Sequence, residues 1–270
     1  MYFPFALVVL FGMFSIVAEA GQQPSPSDNL RFYGLELGAA MNARIFRFQS
    51  TMIIPAGSPE SNTNAIQYLW PGMEAYQRNN VFQNVIANGA PGEWYLEPYY
   101  CCKYDMPKRK LWDPNVDKIF SPVAMLVPGM KVYPGDSLTN TFTLNPLTMK
   151  WHNNWINIPG PAGTAAGEAA FSGGLVFDPK DYDDDNTTAG EIYTSAIFAI
   201  ELQRAGQWDF GNLSWRDIIL EIDTKDTTWC TNGPHLNNEA PFKFNFSPPV
   251  ASVVDNVVRC YIAEMNFVSP

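Results

Sequence analysis

Acidic side chains beside aromatic ones are the first candidates for chemistry in this sequence. Glu93 and Glu97 flank Trp94 in a segment that reads Gly-Glu-Trp-Tyr-Leu-Glu-Pro-Tyr-Tyr over residues 92–100. In an extended strand, residues four apart face the same side at a distance of about 13 Å. That is farther than the paired carboxyls of a retaining or inverting glycosidase stand from each other. A partner from another strand is therefore required, and Glu201 is one candidate.

Triads and metal sites receive little support from the sequence. Only two histidines occur, His152 and His235, and there is neither a Gly-x-Ser-x-Gly nor a Cys-x-x-Cys motif. A Ser-His-Asp triad, a zinc site and a cofactor are therefore not expected. The acidic loop 178–186 begins like a calcium loop, but Asn186 and Ile192 stand where that loop needs Gly and Glu. We expect a solvated loop there, with calcium binding as the open alternative.

Aromatic residues crowd the middle of the chain and could form rigid walls for a ligand cleft. The set comprises Trp70, Trp94, Tyr95, Tyr99, Tyr100, Trp112, Trp151, Trp155 and Trp208. We expect most of them to fill the core and several to line a cleft. The predicted walls are Trp94, Tyr99, Trp151 and Phe198. The predicted donors of a polarising hydrogen bond are Gln83, Tyr100 or Lys150.

The N-terminal segment has the pattern of an export signal. Residues 5–17 are almost wholly apolar but short for a membrane span, and Ala18-Glu19-Ala20 precedes Gly21 as a small-x-small cleavage site. We therefore expect Met1–Ala20 to be removed and the mature chain to be secreted or to stay in the secretory lumen. Glycosylation sequons begin at Asn186, Asn212 and Asn245, and we expect exposed loops there.

The cysteines and the net charge bound the environment and the partners further. In an oxidising compartment Cys101 and Cys102 are expected to pair with Cys230 and Cys260, in an order that the sequence leaves open. The formal net charge is -10. Such a surface repels nucleic acid and anionic membranes, which are therefore not expected as partners. The aromatic residues instead favour a small apolar molecule as the partner.

Short alternating runs separated by Pro and Gly turns predict an all-β, two-sheet antiparallel sandwich in one domain, residues 44–270. Residues 21–43 are expected to be a flexible mature N-terminus. The predicted strands are Ile45–Ile54, Ala65–Trp70, Val81–Ile86, Trp94–Tyr100, Ser121–Val127, Ser137–Leu144, Met149–Asn157, Gly174–Phe177, Ile192–Leu202, Ile218–Ile222, Phe242–Phe246 and Val257–Phe267. Only Gly163–Ala170 and Ser214–Leu220 are candidates for helices.

The order of several short motifs resembles the fungal glutamic peptidases, or eqolisins, which are secreted concanavalin A-like sandwiches with a Gln/Glu dyad. The motifs are Trp70-Pro71-Gly72-Met73-Glu74, Val81-Phe82-Gln83-Asn84-Val85, Glu93-Trp94-Tyr95-x-x-Pro98, Pro134-Gly135-Asp136-Ser137 and Phe210-Gly211. The resemblance covers about residues 46–220 and implies that Gln83 is the counterpart of the catalytic Gln. It also places Ile197 where the catalytic Glu belongs, while Glu201 matches a later Glu of the family. The resemblance therefore implies a retained fold and a broken dyad.

Three functions follow as hypotheses. The leading one is a secreted enzyme of fungal secondary metabolism that catalyses a cyclisation such as an intermolecular hetero-Diels–Alder reaction, because positioning and one hydrogen bond suffice for it. In size, leader and all-β character the chain also resembles the secreted hetero-Diels–Alderases of fungal tropolone-sesquiterpenoid pathways. The second is an acid glutamic endopeptidase that uses Gln83 and Glu201 as an altered dyad. The third is a carbohydrate-binding module of lectin-like type.

Overall fold

The structure is a computed structural model, and it describes residues 30–39, 43–57, 65–75, 81–88, 94–101, 130–178, 192–237 and 240–270. For Tyr99, Tyr100 and Cys101 the description is limited to the backbone. The leader, the predicted strand Ser121–Val127, Cys102 and the acidic loop from residue 179 to the Asn186 sequon lie outside these ranges. No helix among the described residues is long and apolar enough to cross a membrane.

Two antiparallel sheets pack face to face, as the alternating pattern predicts. Sheet A has the order β12-β1-β10-β3-β4-β5-β6. Its strands are β1 (Arg31–Gly38), β3 (Ala65–Ala75), β4 (Val81–Asn88), β5 (Trp94–Cys101), β6 (Met130–Val132), β10 (Tyr193–Arg204) and β12 (His235–Leu236). Strands that are neighbours in sequence also pair antiparallel in this sheet, as β3 does with β4 and β4 with β5.

Sheet B has the order β13-β15-β11-β2-β7-β8-β9, with β14 paired to β15 beside this path. Its strands are β2 (Ile45–Ile53), β7 (Ser137–Asn145), β8 (Lys150–Ile158), β9 (Phe171–Phe177), β11 (Leu213–Asp223), β13 (Lys243–Phe246), β14 (Val250–Val254) and β15 (Val257–Val268). Strict alternation is clearest in β7 and β8, where every second side chain is buried. Two one-turn helices, α1 (Pro161–Ala165) and α2 (Thr228–Asn232), connect strands.

The core between the sheets is rich in aromatic rings. Phe82 of sheet A stacks on Phe177 of sheet B with centroids 4.6 Å apart, and Phe48 of sheet B meets Phe198 of sheet A edge-on at 5.4 Å. Such pairs add stabilisation beyond the apolar area that they bury. Many of the aromatic rings in the described part of the chain therefore serve the packing of the two sheets.

Two local predictions were wrong. The segment expected to be a flexible terminus contains β1, which pairs along its whole length with β10. Its residues Tyr33, Leu35 and Leu37 face the core at alternate positions, so the strand signal was present in the sequence. Ser214–Leu220 belongs to β11 instead of a helix. A register irregularity between Arg216 and Ile219 interrupts the alternation there.

The predicted disulfide pairing was also wrong. Cys230 of α2 is bonded to Cys260 of β15, two residues separated by 30 positions. Neither is therefore available to Cys101 or Cys102. The physical reason is placement, because β15 lies in sheet B next to β11 whereas β5 lies in sheet A. The bond anchors α2 to the last strand and does not join the two sheets.

Candidate functional site

The outer face of sheet A, which points away from sheet B, carries several of the residues that the sequence analysis singled out. Its side chains alternate with core residues along each strand, and they form a second apolar cluster separate from the core. That cluster consists of Trp70, Val85, Ala87, Ile197 and Ala199, with Phe32, Tyr68 and Val81 packed against it. Gln83, Glu97 and Glu201 occupy positions of the same parity and therefore share this face.

Gln83 lies in the middle of the outer face. It is 5% exposed, and its Oε1 atom has no hydrogen-bond partner in the described structure. Its direct cross-strand neighbour on β3 is Gly72. A Cβ atom added at Gly72 would stand 2.9 Å from the Cβ of Gln83. The glycine therefore gives the Gln83 side chain room above β3. A buried carbonyl oxygen without a partner is costly, and a bound water or ligand can satisfy it.

Ile197 lies on the other side of Gly72, in register with Gln83. This is the position that the resemblance gives to a catalytic Glu. The side chain is apolar and 2% exposed, so it supplies neither an acid nor a base. The broken dyad implied by the motifs is consistent with the strand register.

Two carboxyls are diagonal to Gln83 in the strand register, Glu74 on β3 and Glu97 on β5. On β5, Tyr99 lies directly opposite Gln83 and Glu97 lies opposite Val85, which makes Glu97 the diagonal neighbour of Gln83. Diagonal neighbours stand about 7–8 Å apart, within reach of two long side chains. Burial raises the pKa of the Glu97 carboxyl above its ordinary value of 4.5. The arrangement combines an amide with a carboxyl whose protonated form is favoured by burial.

Glu201 lies elsewhere on the same face. It is opposite Phe32 of β1 on one side and Tyr68 of β3 on the other, and Tyr68 lies four residues before Gly72. Four residues and two strand spacings place it about 16 Å from Gln83. This distance corrects the prediction that Gln83 and Glu201 form one dyad, because no single bond can lie within reach of both.

The Glu201 carboxyl is held by two donors. Gln203 Nε2 donates to Oε1 at 2.6 Å, and the indole N–H of Trp70 donates to Oε2 at 3.3 Å. Burial raises the pKa of the Glu201 carboxyl above 4.5, an effect that the two hydrogen bonds oppose. Loss of hydration therefore outweighs the hydrogen bonds at this group.

The predicted cleft walls are mostly core residues. Trp94 and Phe198 are 0% exposed and Trp151 is 1% exposed, all within the cluster between the sheets. This corrects their interpretation as walls open to a ligand, because inward-facing positions of the strands are covered by the opposite sheet. Tyr99 and Tyr100 lie on β5 opposite Gln83 and Phe82, respectively.

Lys150 belongs to sheet B, whereas the other predicted donors, Gln83 and Tyr100, belong to sheet A. It begins β8 of sheet B, is exposed, and forms an ion pair with Asp178 at 3.4 Å. The structure therefore does not bring Lys150 together with Gln83, which corrects the prediction that they serve one cleft.

The two described sequons are accessible. Asn212 is exposed just before β11, and its Oδ1 accepts a hydrogen bond from the backbone of Ser269. Asn245 is exposed on β13, so it lies in a strand and not in the loop that was expected. Their glycosylation stays a prediction.

Sequence reasoning overlooked the partnership of Gln83 with Glu97 and the aromatic surroundings of Glu201. Glu97 was considered with Glu93, on its own strand, or with Glu201, but not with Gln83. The sequence did contain a signal for the face on which Glu97 lies. Along β5, Trp94 and Leu96 face the core, so Tyr95 and Glu97, at the alternate positions, face outward. Pairing with β4 completes the partnership, and only the structure supplies that register.

Comparison with known proteins gives structural neighbours only. No protein-family model matches the sequence, and no curated protein matches it. The chain is similar to Scytalido-glutamic peptidase with a transition state analog inhibitor, at a TM-score of 0.49 and 14% identity, covering 87% of this chain and 100% of that one. It is also similar to SCP-B, a member of the Eqolisin family of peptidases in complex with the tripeptide Ala-Ile-His, at a TM-score of 0.44 and 13% identity with the same coverage.

Both neighbours carry the names of the family that the sequence motifs resemble, and the fold of this chain is a two-sheet antiparallel β-sandwich. Similarity at 13–14% identity carries no site residue over to this chain. The roles of individual side chains have to be argued from their geometry.

Proposed function

We propose that the chain is a secreted endopeptidase that hydrolyses peptide bonds on the outer face of sheet A, with Gln83 and Glu97 as its catalytic pair. The observation that carries the proposal is the diagonal placement of Glu97 beside Gln83, whose Oε1 atom lacks a partner among the described residues. The disulfide between Cys230 and Cys260 supports an oxidising compartment for the mature chain.

Each side chain has a defined role in the proposed reaction. The Glu97 carboxylate removes a proton from a water molecule whose oxygen attacks the peptide carbonyl carbon. The carbonyl electron pair moves to its oxygen, which accepts a hydrogen bond from the Gln83 amide. Collapse of this intermediate breaks the C–N bond, and Glu97 returns the proton to the leaving nitrogen. Gln83 Oε1 can accept a hydrogen bond from the attacking water.

The cyclisation hypothesis receives less support. It requires aromatic walls, and three of the four that were predicted lie inside the core. The geometry therefore favours hydrolysis over a hetero-Diels–Alder reaction. Carbohydrate binding stays a prediction.

Substitution of the pair tests the proposed function. Hydrolysis of an unfolded protein such as casein is measured for the wild type, Glu97→Gln and Gln83→Ala. We expect a fall of about 100-fold or more in kcat for Glu97→Gln, because general acid–base catalysis is lost. Loss of one donor to the oxyanion should reduce kcat about 100- to 1000-fold in Gln83→Ala.

The matched control is Glu221→Gln, a similar replacement on β11 of sheet B, and it should hydrolyse casein like the wild type. A wild type that cleaves no peptide bond between pH 2 and pH 7 would refute the proposal. So would a Glu97→Gln variant with undiminished activity.

A further inference from the structure

A carboxyl surrounded by aromatic rings lies at the β1–β10–β3 end of the outer face. Phe32 and Tyr68 are the direct cross-strand neighbours of Glu201, with Cβ atoms about 4.5–5.5 Å away. Trp70 donates its indole N–H to the same carboxyl, and its ring stands 5.6 Å from that of Phe32. One acidic group therefore has an indole donor and two aromatic residues as its cross-strand neighbours.

Small residues beside Glu201 make this packing possible. Gly34 lies opposite Ala199, and Ala199 lies opposite Trp70. A Cβ atom at Gly34 would stand 2.6 Å from the ring of Phe32. The missing side chain thus lets Phe32 lie flat along β1 toward Trp70.

The carboxyl still has acceptor capacity that the protein does not use. Each oxygen accepts one hydrogen bond, although a carboxylate offers about four acceptor sites. In the described structure no Lys or Arg pairs with Glu201. The residues Glu201, Phe32 and Tyr68 are each partly exposed, so a ligand can reach this end of the face.

We infer that Glu201, Phe32, Tyr68 and Trp70 form a binding site for an organic cation, an alkylammonium or guanidinium group. Aromatic faces attract such cations through their quadrupoles, and the carboxylate supplies charge and hydrogen-bond acceptors. A cation of this kind compensates for the hydration that burial removes from Glu201.

This site also suggests a substrate preference, an extension that rests on the proposed function. Glu201 lies about 16 Å from Gln83, a distance that about five residues of an extended peptide span. The preferred peptide therefore carries a Lys or Arg about five residues from the bond that is cleaved.

Binding is tested directly with butylammonium chloride, using the indole N–H resonance of Trp70 in a ¹⁵N-labelled protein near neutral pH. The resonance is assigned by its loss in Trp70→Phe. We expect a saturable shift in the wild type, a Kd at least tenfold higher in Glu201→Gln, and a severalfold higher Kd in Phe32→Leu. The control is Glu36→Gln, which should bind butylammonium like the wild type. Glu36 lies on the same face but opposite Ile197, in register with Gln83 and not with Glu201.

A neutral probe of similar size, pentan-1-ol, should cause no saturable shift. Equal binding of the alcohol, an unchanged Kd in both Glu201→Gln and Phe32→Leu, or no saturation in the wild type would overturn the inference. The second arm compares kcat/KM for two peptides that differ by Lys or norleucine five residues from the cleaved bond. Glu201→Gln should abolish a preference for Lys without reducing cleavage of the norleucine peptide.

The two arms separate this inference from the proposed function. If cleavage is absent but butylammonium binds through Glu201, the cation site stands and the peptidase proposal fails. If casein is cleaved through Gln83 and Glu97 but butylammonium does not bind, the peptidase stands and the cation site fails.

Discussion

At the scale of single residues, an isoleucine determines how Gln83 can be used. Ile197 faces Gln83 across Gly72 and cannot exchange a proton. Two acids are diagonal to Gln83, Glu74 on β3 and Glu97 on β5, and burial raises the pKa of the Glu97 carboxyl above its ordinary value. The outer face therefore still places carboxyls diagonal to Gln83, although the position implied by the resemblance is apolar.

The second effect at this scale is the pH dependence of stability that Glu201 confers. Its folded-state pKa is raised, so the folded protein holds the proton more tightly than the unfolded chain does. This contribution is fully present below the unfolded-state pKa and is lost as the pH rises through the folded-state pKa. Protonation of Glu201 at low pH therefore stabilises the native state relative to the unfolded chain.

Replacing Glu201 with Gln should remove that dependence. We expect the free energy of unfolding of Glu201→Gln, relative to the wild type, to be higher at pH 7 than at pH 4, because the variant buries no charge at pH 7. Urea unfolding at the two pH values measures the difference, with Glu221→Gln as the control. An identical relative stability at both pH values would contradict the burial of this carboxyl.

At the scale of secondary-structure elements, three asparagines connect β4 to the opposite sheet. Asn84 Nδ2 donates to Oδ1 of Asn140 at 2.8 Å and to Oδ1 of Asn153 at 2.9 Å, while Asn153 Nδ2 donates back to Asn84 at 2.7 Å. All three are 0% exposed. Because a one-residue slip turns every side chain of a strand to the other face, this network keeps the neighbouring Gln83 facing outward.

Removal of the central amide should be costly. In Asn84→Ala, the side chains of Asn140 and Asn153 lose their partner in the core, and an unsatisfied buried group costs about 1–3 kcal/mol. We expect a destabilisation of about 2–5 kcal/mol by urea denaturation. Asn266→Ala breaks only an exposed hydrogen bond to Asn245 and should change stability by less than about 0.5 kcal/mol. Equal effects of the two substitutions would contradict this role.

Some elements were predictable from local pattern and others were not. Period-2 alternation located β7 and β8 because one face of each is buried. The helix expected at Ser214–Leu220 was wrong because the irregularity in β11, with Asp217 at a φ of 49°, destroys that alternation. Propensity within a short window cannot recognise a strand whose register shifts.

At the scale of the whole molecule, the sandwich could be predicted whereas the partners of its residues could not. The alternation of the strands predicts two packed sheets, but it does not say which strands are neighbours. The cysteine pairing failed for this reason, since β5 and β15 belong to different sheets. The pairing of Gln83 with Glu97 likewise depends on the register of β4 and β5. Long-range register is a property of the assembled sheets.

The central claim is that Glu97 acts as the base beside Gln83, and the pH profile of peptide hydrolysis tests it most directly. The carboxyl must be ionised to accept a proton from water, and burial raises its pKa above 4.5. We predict that kcat/KM for an internally quenched peptide rises with pH along a single limb whose midpoint lies above 4.5, and that this limb is absent in Glu97→Gln. A wild-type profile that falls as pH rises from 3 to 6, or the same limb in Glu97→Gln, would contradict the claim.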